Sequence, residues 1–162
     1  LPPILISACR YGKHEQKCHE QDHHCQLQGD GASGYQREGN SFAVKPVIRE
    51  ADAGKCAASF VEVEPGRYAY GYHYHEVNEE VFYIIRAMPL CVTPEGEKNL
   101  KEGDAIAFPA SPEAHVIRNG SATEKLVYLD VGTRLTPDVV HFPDTASGMV
   151  YSSSGVHHFR ES

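Results

Sequence analysis

The chain has 162 residues, enough for one domain with a real core, and 41% are hydrophobic, a globular rather than disordered composition. Its net charge of −7 argues against a nucleic-acid partner, which needs clustered Lys and Arg, and no apolar run is long enough to span a bilayer. The five cysteines, at 9, 18, 25, 56 and 91, contain no Cys-x-x-Cys pair, so a reduced cytoplasmic protein fits better than a disulfide-stapled secreted one.

Residues 1–40 read as an arm outside the main core. Ile6-Ser7-Ala8-Cys9 resembles a lipoprotein cleavage box, but the apolar stretch before it is short and no basic segment precedes it. Residues 13–28 are rich in His, Gln, Lys and Glu. Together with Cys9, the side chains of His14, Cys18, His19, His23, His24 and Cys25 could gather zinc. Their spacing matches no standard zinc knuckle, and a solvated arm is the preferred reading. Glycines at 29, 31, 34 and 39 read as a flexible linker.

From residue 41 the pattern changes to short β-type runs. Strands are expected over 43–49, 57–64, 68–75, 80–87, 105–108, 115–118 and 125–131. Turns fall at Pro65-Gly66, at Pro94-Glu95-Gly96-Glu97, over 109–112 and at Asn119-Gly120. No segment carries a long 3.6-residue apolar period, so the class is all-β, an antiparallel sandwich or barrel over 41–143. Residues 144–162, with His157-His158, read as a closing strand and a loose tail.

Side chains alternate faces along a strand, so His73 and His75 point the same way. Tyr68, Tyr70, Tyr72 and Tyr74 then point the other way, and this row is the expected contact of a homodimer. In the next strand Glu80, Phe82, Ile84 and Arg86 share a face, and Glu79 is the competing carboxylate of opposite parity. His115 follows in a later strand. Three imidazoles and a carboxylate suit a divalent transition metal (Fe, Mn, Ni, Zn or Cu) rather than Ca or Mg. Arg86, on the cavity parity, could meet an anionic substrate group or snorkel to the rim. Tyr70, Phe82 and Asn119 are further candidates for contact with a small-molecule substrate, and Cys56 and Cys91 read as small core residues.

At these residues the chain resembles the cupins. Gly66, His73-Tyr74-His75, Glu80 and Ala87 follow the order of the first cupin motif. Gly103-Asp104, Pro109, His115 and Asn119 follow that of the second, with a spacer over 88–102. Gly66 lies one residue further from His73 than in the strict motif, and Ala87 and Ser111 stand where glycines are usual. The resemblance implies a double-stranded β-helix (jelly-roll) barrel that binds metal through His73, His75, Glu80 and His115. It implies an enzyme acting on a small anionic metabolite, with sugar-phosphate-isomerase-like chemistry favoured. A metal-dependent dioxygenase and a non-catalytic binding or sensor protein are the alternatives. For a general base the sequence offers only Glu79 or a metal-bound hydroxide.

Overall fold

The alternation of apolar and polar residues is converted directly into strand faces. In β3 (Cys56–Val63) Val61 and Val63 are fully buried while Glu62 between them is half-exposed. In β5 (Glu80–Arg86) Phe82 and Ile84 are buried while Val81 and Tyr83 face out. The structure, a computed structural model, describes residues 33–37, 39–48 and 54–161. The cysteine- and histidine-rich stretch between Cys9 and Cys25 lies outside the described residues.

These residues form thirteen strands and one short 3₁₀ turn at Pro143–Thr145. The remaining strands are β1 (Ser33–Arg37), β2 (Asn40–Ile48), β4 (Tyr74–His75), β6 (Pro89–Thr93), β7 (Gly96–Asn99), β8 (Ala105–Phe108), β9 (Val116–Asn119), β10 (Leu126–Thr133), β11 (Asp138–Phe142), β12 (Ser147–Ser152) and β13 (Gly155–Arg160). Antiparallel pairing builds a six-stranded sheet in the order β1-β2-β3-β10-β5-β8. A four-stranded sheet, β13-β12-β11-β4, and a three-stranded sheet, β7-β6-β9, complete the fold. The last two are stitched by a bridge in which His73 and His115 exchange both backbone hydrogen bonds, at 3.0 and 2.8 Å. Two layers result, the architecture of a jelly-roll barrel. Between them lies one core that includes Val61, Val63, Phe82, Ile84, Cys91, Ile117, Leu126 and Tyr128. Truncating a fully buried side chain such as Ile84 would cost about 2–5 kcal/mol.

Four expectations are corrected. Residues 68–75 are not one strand: Tyr70 adopts φ +57°, and only Tyr74 and His75 belong to a ladder. A left-handed residue breaks the two-residue alternation, so the outward tyrosine row does not form. Tyr70 packs on Phe42, 4.9 Å between ring centroids, and Tyr74 stacks on His141 at 4.6 Å. The glycine-rich linker includes β1, which pairs with β2 through a turn at Gly39. The spacer over 88–102 holds the β6–β7 hairpin around the expected turn at Pro94-Glu95, and after the expected closing strand, β12, the expected loose tail is instead its partner β13. Ala87, standing where the motif has glycine, takes φ +70°, so the chain keeps the turn at some backbone cost.

Candidate metal centre

The backbone places the ligands before any side chain is considered. The His73–His115 bridge holds two imidazoles on facing chain segments, and their ring centroids stand 4.7 Å apart. His75 follows on β4, and Glu80 opens β5 in the facing sheet. Gly132 on β10 pairs with Glu80; a Cβ there would meet Glu79 O at 3.3 Å and Glu80 Cγ at 3.7 Å.

One carboxylate oxygen is the focus of the cluster. Glu80 Oε2 lies 3.0 Å from His115 Nε2, 3.6 Å from His73 Nε2 and 3.9 Å from His75 Nε2. Ligand atoms of His73, His75 and Glu80 all fall within 4.8 Å of one another. Donors about 2.0–2.2 Å from a common ion stand roughly 3–4 Å apart, so this set fits a single transition-metal ion. The side chains of His73 and His115 are nearly buried, and those of His75 and Glu80 are 18% and 14% exposed, so the cluster opens on their side.

Each imidazole is oriented by a different device. His73 Nδ1–H donates to Gly71 O at 2.8 Å, which leaves Nε2 as the lone-pair donor. His75 Nδ1–H donates to Asp138 Oδ2 at 2.6 Å. Asp138 is 1% exposed and also accepts from Asn78 Nδ2 at 2.8 Å and Val77 N at 3.0 Å. His115 Nδ1 is buried without a partner among the described residues; its ring is held by stacking on Phe108 at 3.6 Å and 6°. A carboxylate behind a ligand imidazole fixes its tautomer and raises its basicity.

Protonation follows from the crowding. Burial disfavours the Glu80 carboxylate, but hydrogen bonds from His115 and His73 and the charges of His73 and His75 hold it well below the usual carboxylate range. Burial opposes a charged His73, yet the bond to Glu80 and its charge raise His73 above the ordinary imidazole value. His115 is lowered, chiefly by burial. Asp130 is raised by burial and by the charge of Glu80. Asp138 is disfavoured by burial but ends below its ordinary value through its bonds to His75 and Asn78.

The structure therefore brings His73, His75, Glu80 and His115 together. Phe82 lies beside them, 5.9 Å from the His115 ring, and Tyr70 stands 6.3 Å from the His73 ring. Glu79 is exposed, its N–H bound to Thr133 Oγ1 at 2.9 Å. Arg86 and Asn119 are not at the site. Tyr128 pairs with Ile84 but Val127 with Arg86, so Ile85 is an extra residue, and the bulge moves Arg86 to the sheet face of Val127, opposite to Tyr128. Arg86 is exposed and lies six residues along the strand from Glu80, roughly 20 Å. Asn119 is 1% exposed and closes a turn: its Nδ2 donates to Val63 O at 3.0 Å and Glu124 O at 2.7 Å, and its Oδ1 accepts from Ser121 N at 2.9 Å. A cleft of about 180 Å³ bordered by Tyr72, Arg118, Phe142 and Asp144 is lined by none of the four ligands.

Sequence reasoning missed Asp138 and Asp130. Asp138 is 63 residues from the imidazole it serves. Asp130 did carry a signal: it shares parity with Leu126 and Tyr128 in a strongly apolar strand, a carboxylate on a core-facing position.

A jelly-roll barrel with His73, His75 and Glu80 converging inside it, and His115 beside them, is an arrangement that could hold one metal ion. Residues 59–132 match the family model described as Cupin domain, and this stretch is a cupin domain. Among curated proteins no sequence relative matches. Among solved structures, the chain is similar to a protein of Acidithiobacillus ferrooxidans provisionally named a sugar phosphate isomerase. The identity is 26%, coverage is 75% of this chain and 78% of that one, and the TM-score is 0.67. A sugar phosphate isomerase of the cupin superfamily from Silicibacter pomeroyi is 25% identical, with 80% and 85% of the chains covered and a TM-score of 0.66. A cupin-like protein of Thermotoga maritima shares the fold at 18% identity, covering 70% and 86%, with a TM-score of 0.58.

Proposed function

We propose that this protein is a metal-dependent isomerase of a small, anionic, sugar-like metabolite. The observation that carries the reading is the approach of three imidazole Nε2 atoms to within 3.9 Å of the Glu80 carboxylate in the partly open barrel interior. The likeness to the two sugar phosphate isomerase structures supports it. A divalent transition metal, when bound there, supplies a Lewis acid that polarises neighbouring carbonyl and hydroxyl oxygens of the substrate. Once an ion displaces the proton shared with Glu80, His73 and His75 can turn Nε2 lone pairs to it, because Gly71 O and Asp138 hold their Nδ1 protons. Phe82 and Phe108 pack beside the ligands and keep bulk water from the inner wall.

An anionic end cannot be met by Arg86. At the ligand end of the barrel stand Lys55 and Arg134, joined by an Arg134 N–H to Lys55 O bond of 2.9 Å; Thr133, next to Arg134, is bonded to Glu79. Their positive charge supports attraction of a phosphate or carboxylate. The free thiols Cys56 and Cys91 support a reducing, cytoplasmic setting. Val81 and Tyr83, 44% and 46% exposed side by side on the outer face of β5, support a homodimer through that face in place of the tyrosine row.

The test is metal analysis followed by assay of the loaded protein on aldose and ketose phosphates of three to six carbons. Aldose–ketose interconversion without oxygen uptake is the expected result. Iron-dependent oxygen consumption instead would replace the isomerase with a dioxygenase. Tight ligand binding with no turnover would make the protein a sensor.

A further inference from the structure

We propose that Asp130 is the catalytic acid–base residue, the group that takes the proton from the substrate carbon and returns it to the neighbouring one. The inference rests on the isomerase reading and assigns a role that none of the four ligands can fill.

The placement comes from the β10 ladder. Leu126 and Tyr128 point into the core, and Asp130 is the next position on the same face. Its partner on β5 is Phe82, which packs against the His115 ring at 5.9 Å and against Tyr128 at 5.0 Å. Two residues further on the same face, Gly132 pairs with Glu80. Asp130 and Glu80 are therefore diagonal neighbours on one sheet face, a relation that puts Cβ atoms within about 7–8 Å. No side chain of Gly132 stands beside the pair, and Glu80 Cγ would lie 3.7 Å from a Cβ there.

Its lack of partners sets Asp130 apart from Glu80 and Asp138, the carboxylates bonded to the imidazoles. Asp138 is engaged by His75, Val77 and Asn78, and Asp104 is engaged by Lys101. Glu80 is engaged by the imidazoles. Asp130 has no hydrogen-bond or ion-pair partner among the described residues, although it is half-buried on the inner face. Its oxygens are not among the buried atoms that lack a partner, so they stay reachable by a molecule that enters the barrel. Glu79, the base that sequence parity offered, is exposed.

The step balances without any further reactant. The Asp130 carboxylate accepts the proton from the carbon next to the carbonyl. The electron pair of that C–H bond forms a C=C bond, and the carbonyl π pair moves onto its oxygen. The proton of the substrate's own hydroxyl passes between the two neighbouring oxygens. The oxyanion left on the former hydroxyl oxygen then forms the new C=O, and the C=C pair takes the proton from Asp130 at the former carbonyl carbon to make the new C–H bond. The oxidation level of the substrate is unchanged overall.

The experiment compares the metal-loaded wild type with Asp130→Asn and Asp130→Ala in deuterium oxide. The substrates are glyceraldehyde 3-phosphate, ribose 5-phosphate and glucose 6-phosphate, and mass spectrometry reads deuterium at the exchanging carbon. Metal content and melting temperature are measured on every protein. The wild type should exchange at least one substrate, and Asp130→Asn should lose roughly 100-fold or more of that rate with metal content unchanged. Formate should restore part of the rate to Asp130→Ala, which a structural role would not predict. Exchange by Asp130→Asn at the wild-type rate overturns the assignment and leaves the isomerase reading standing. Loss of metal from Asp130→Asn also overturns it, because Asp130 would then be a ligand. Interconversion by the loaded wild type without exchange, as in a hydride shift, overturns the role of Asp130 alone, and absence of both interconversion and exchange overturns the isomerase reading and this role with it.

Discussion

Replacing Asp138 by Asn should damage the metal centre from behind. Both oxygens of Asp138 accept from N–H donors: Oδ2 from His75 Nδ1 at 2.6 Å and Asn78 Nδ2 at 2.8 Å, Oδ1 from Val77 N at 3.0 Å. Either orientation of an amide therefore turns its NH₂ group against a donor. The residue is 1% exposed, so water cannot repair the mismatch. A buried donor left without an acceptor costs about 1–3 kcal/mol. At this chain length that is a melting-temperature drop of roughly 2–12 °C. His75 also loses the charge that orients it, and an outer partner of this kind is worth about 10–100-fold in metal affinity, about 1.4–2.7 kcal/mol. Asp138 is held below its ordinary value of 3.8, so its contribution to stability is present above that pH and lost as pH falls through the lower folded value. The stability gap between wild type and variant should accordingly be full at pH 7 and close in strong acid. Chelator competition with Zn or Mn and thermal melts of the metal-free proteins measure both effects. An Asp138→Asn protein with wild-type affinity and melting temperature would refute the reasoning.

Asn119→Ala should destabilise the protein by about 2–4 kcal/mol, since it strands the carbonyls of Val63 and Glu124 and the N–H of Ser121, yet leave metal content unchanged. Denaturant unfolding with metal analysis checks it. Metal loading should strengthen as pH rises through and above 6.5, because ion and proton compete for His73, whose affinity for the proton is raised by Glu80. In the metal-free protein His73 works in the opposite sense, stabilising below 6.5 and losing that contribution as pH rises through its folded value. Parallel pH titrations of metal affinity and of apoprotein stability read the two slopes. Gly148→Ala should loosen the C-terminal hairpin, since a Cβ there would meet the Phe159 ring and the Val140 carbonyl at 2.7 Å, and backbone cannot yield cheaply. Hydrogen exchange across β12 and β13 should show lost protection.

The ligands were legible in the sequence because each motif is local. His73 and His75 sit two residues apart and Glu80 five further, and strand alternation needs no more than that. The second layer of the site was not legible, because the His75–Asp138 bond joins residues 63 apart. Arg86 was misplaced by a single extra residue: parity carried past Ile84 is right only while no bulge intervenes. The tyrosine row failed for a similar reason, as a left-handed Tyr70 cannot be read from a run that alternates so cleanly. The strands β11, β12 and β13 were under-read because their residues are polar and half-exposed, so the periodic burial signal is weak there.

The most direct measurement is the metal content of the protein purified without an affinity tag, beside His75→Ala. Close to one transition-metal ion per wild-type chain and little or none in the variant is the expected result, with the β-rich circular dichroism of both unchanged. A wild type that binds no metal under saturating conditions, or a variant that keeps full occupancy, would contradict the four-residue centre.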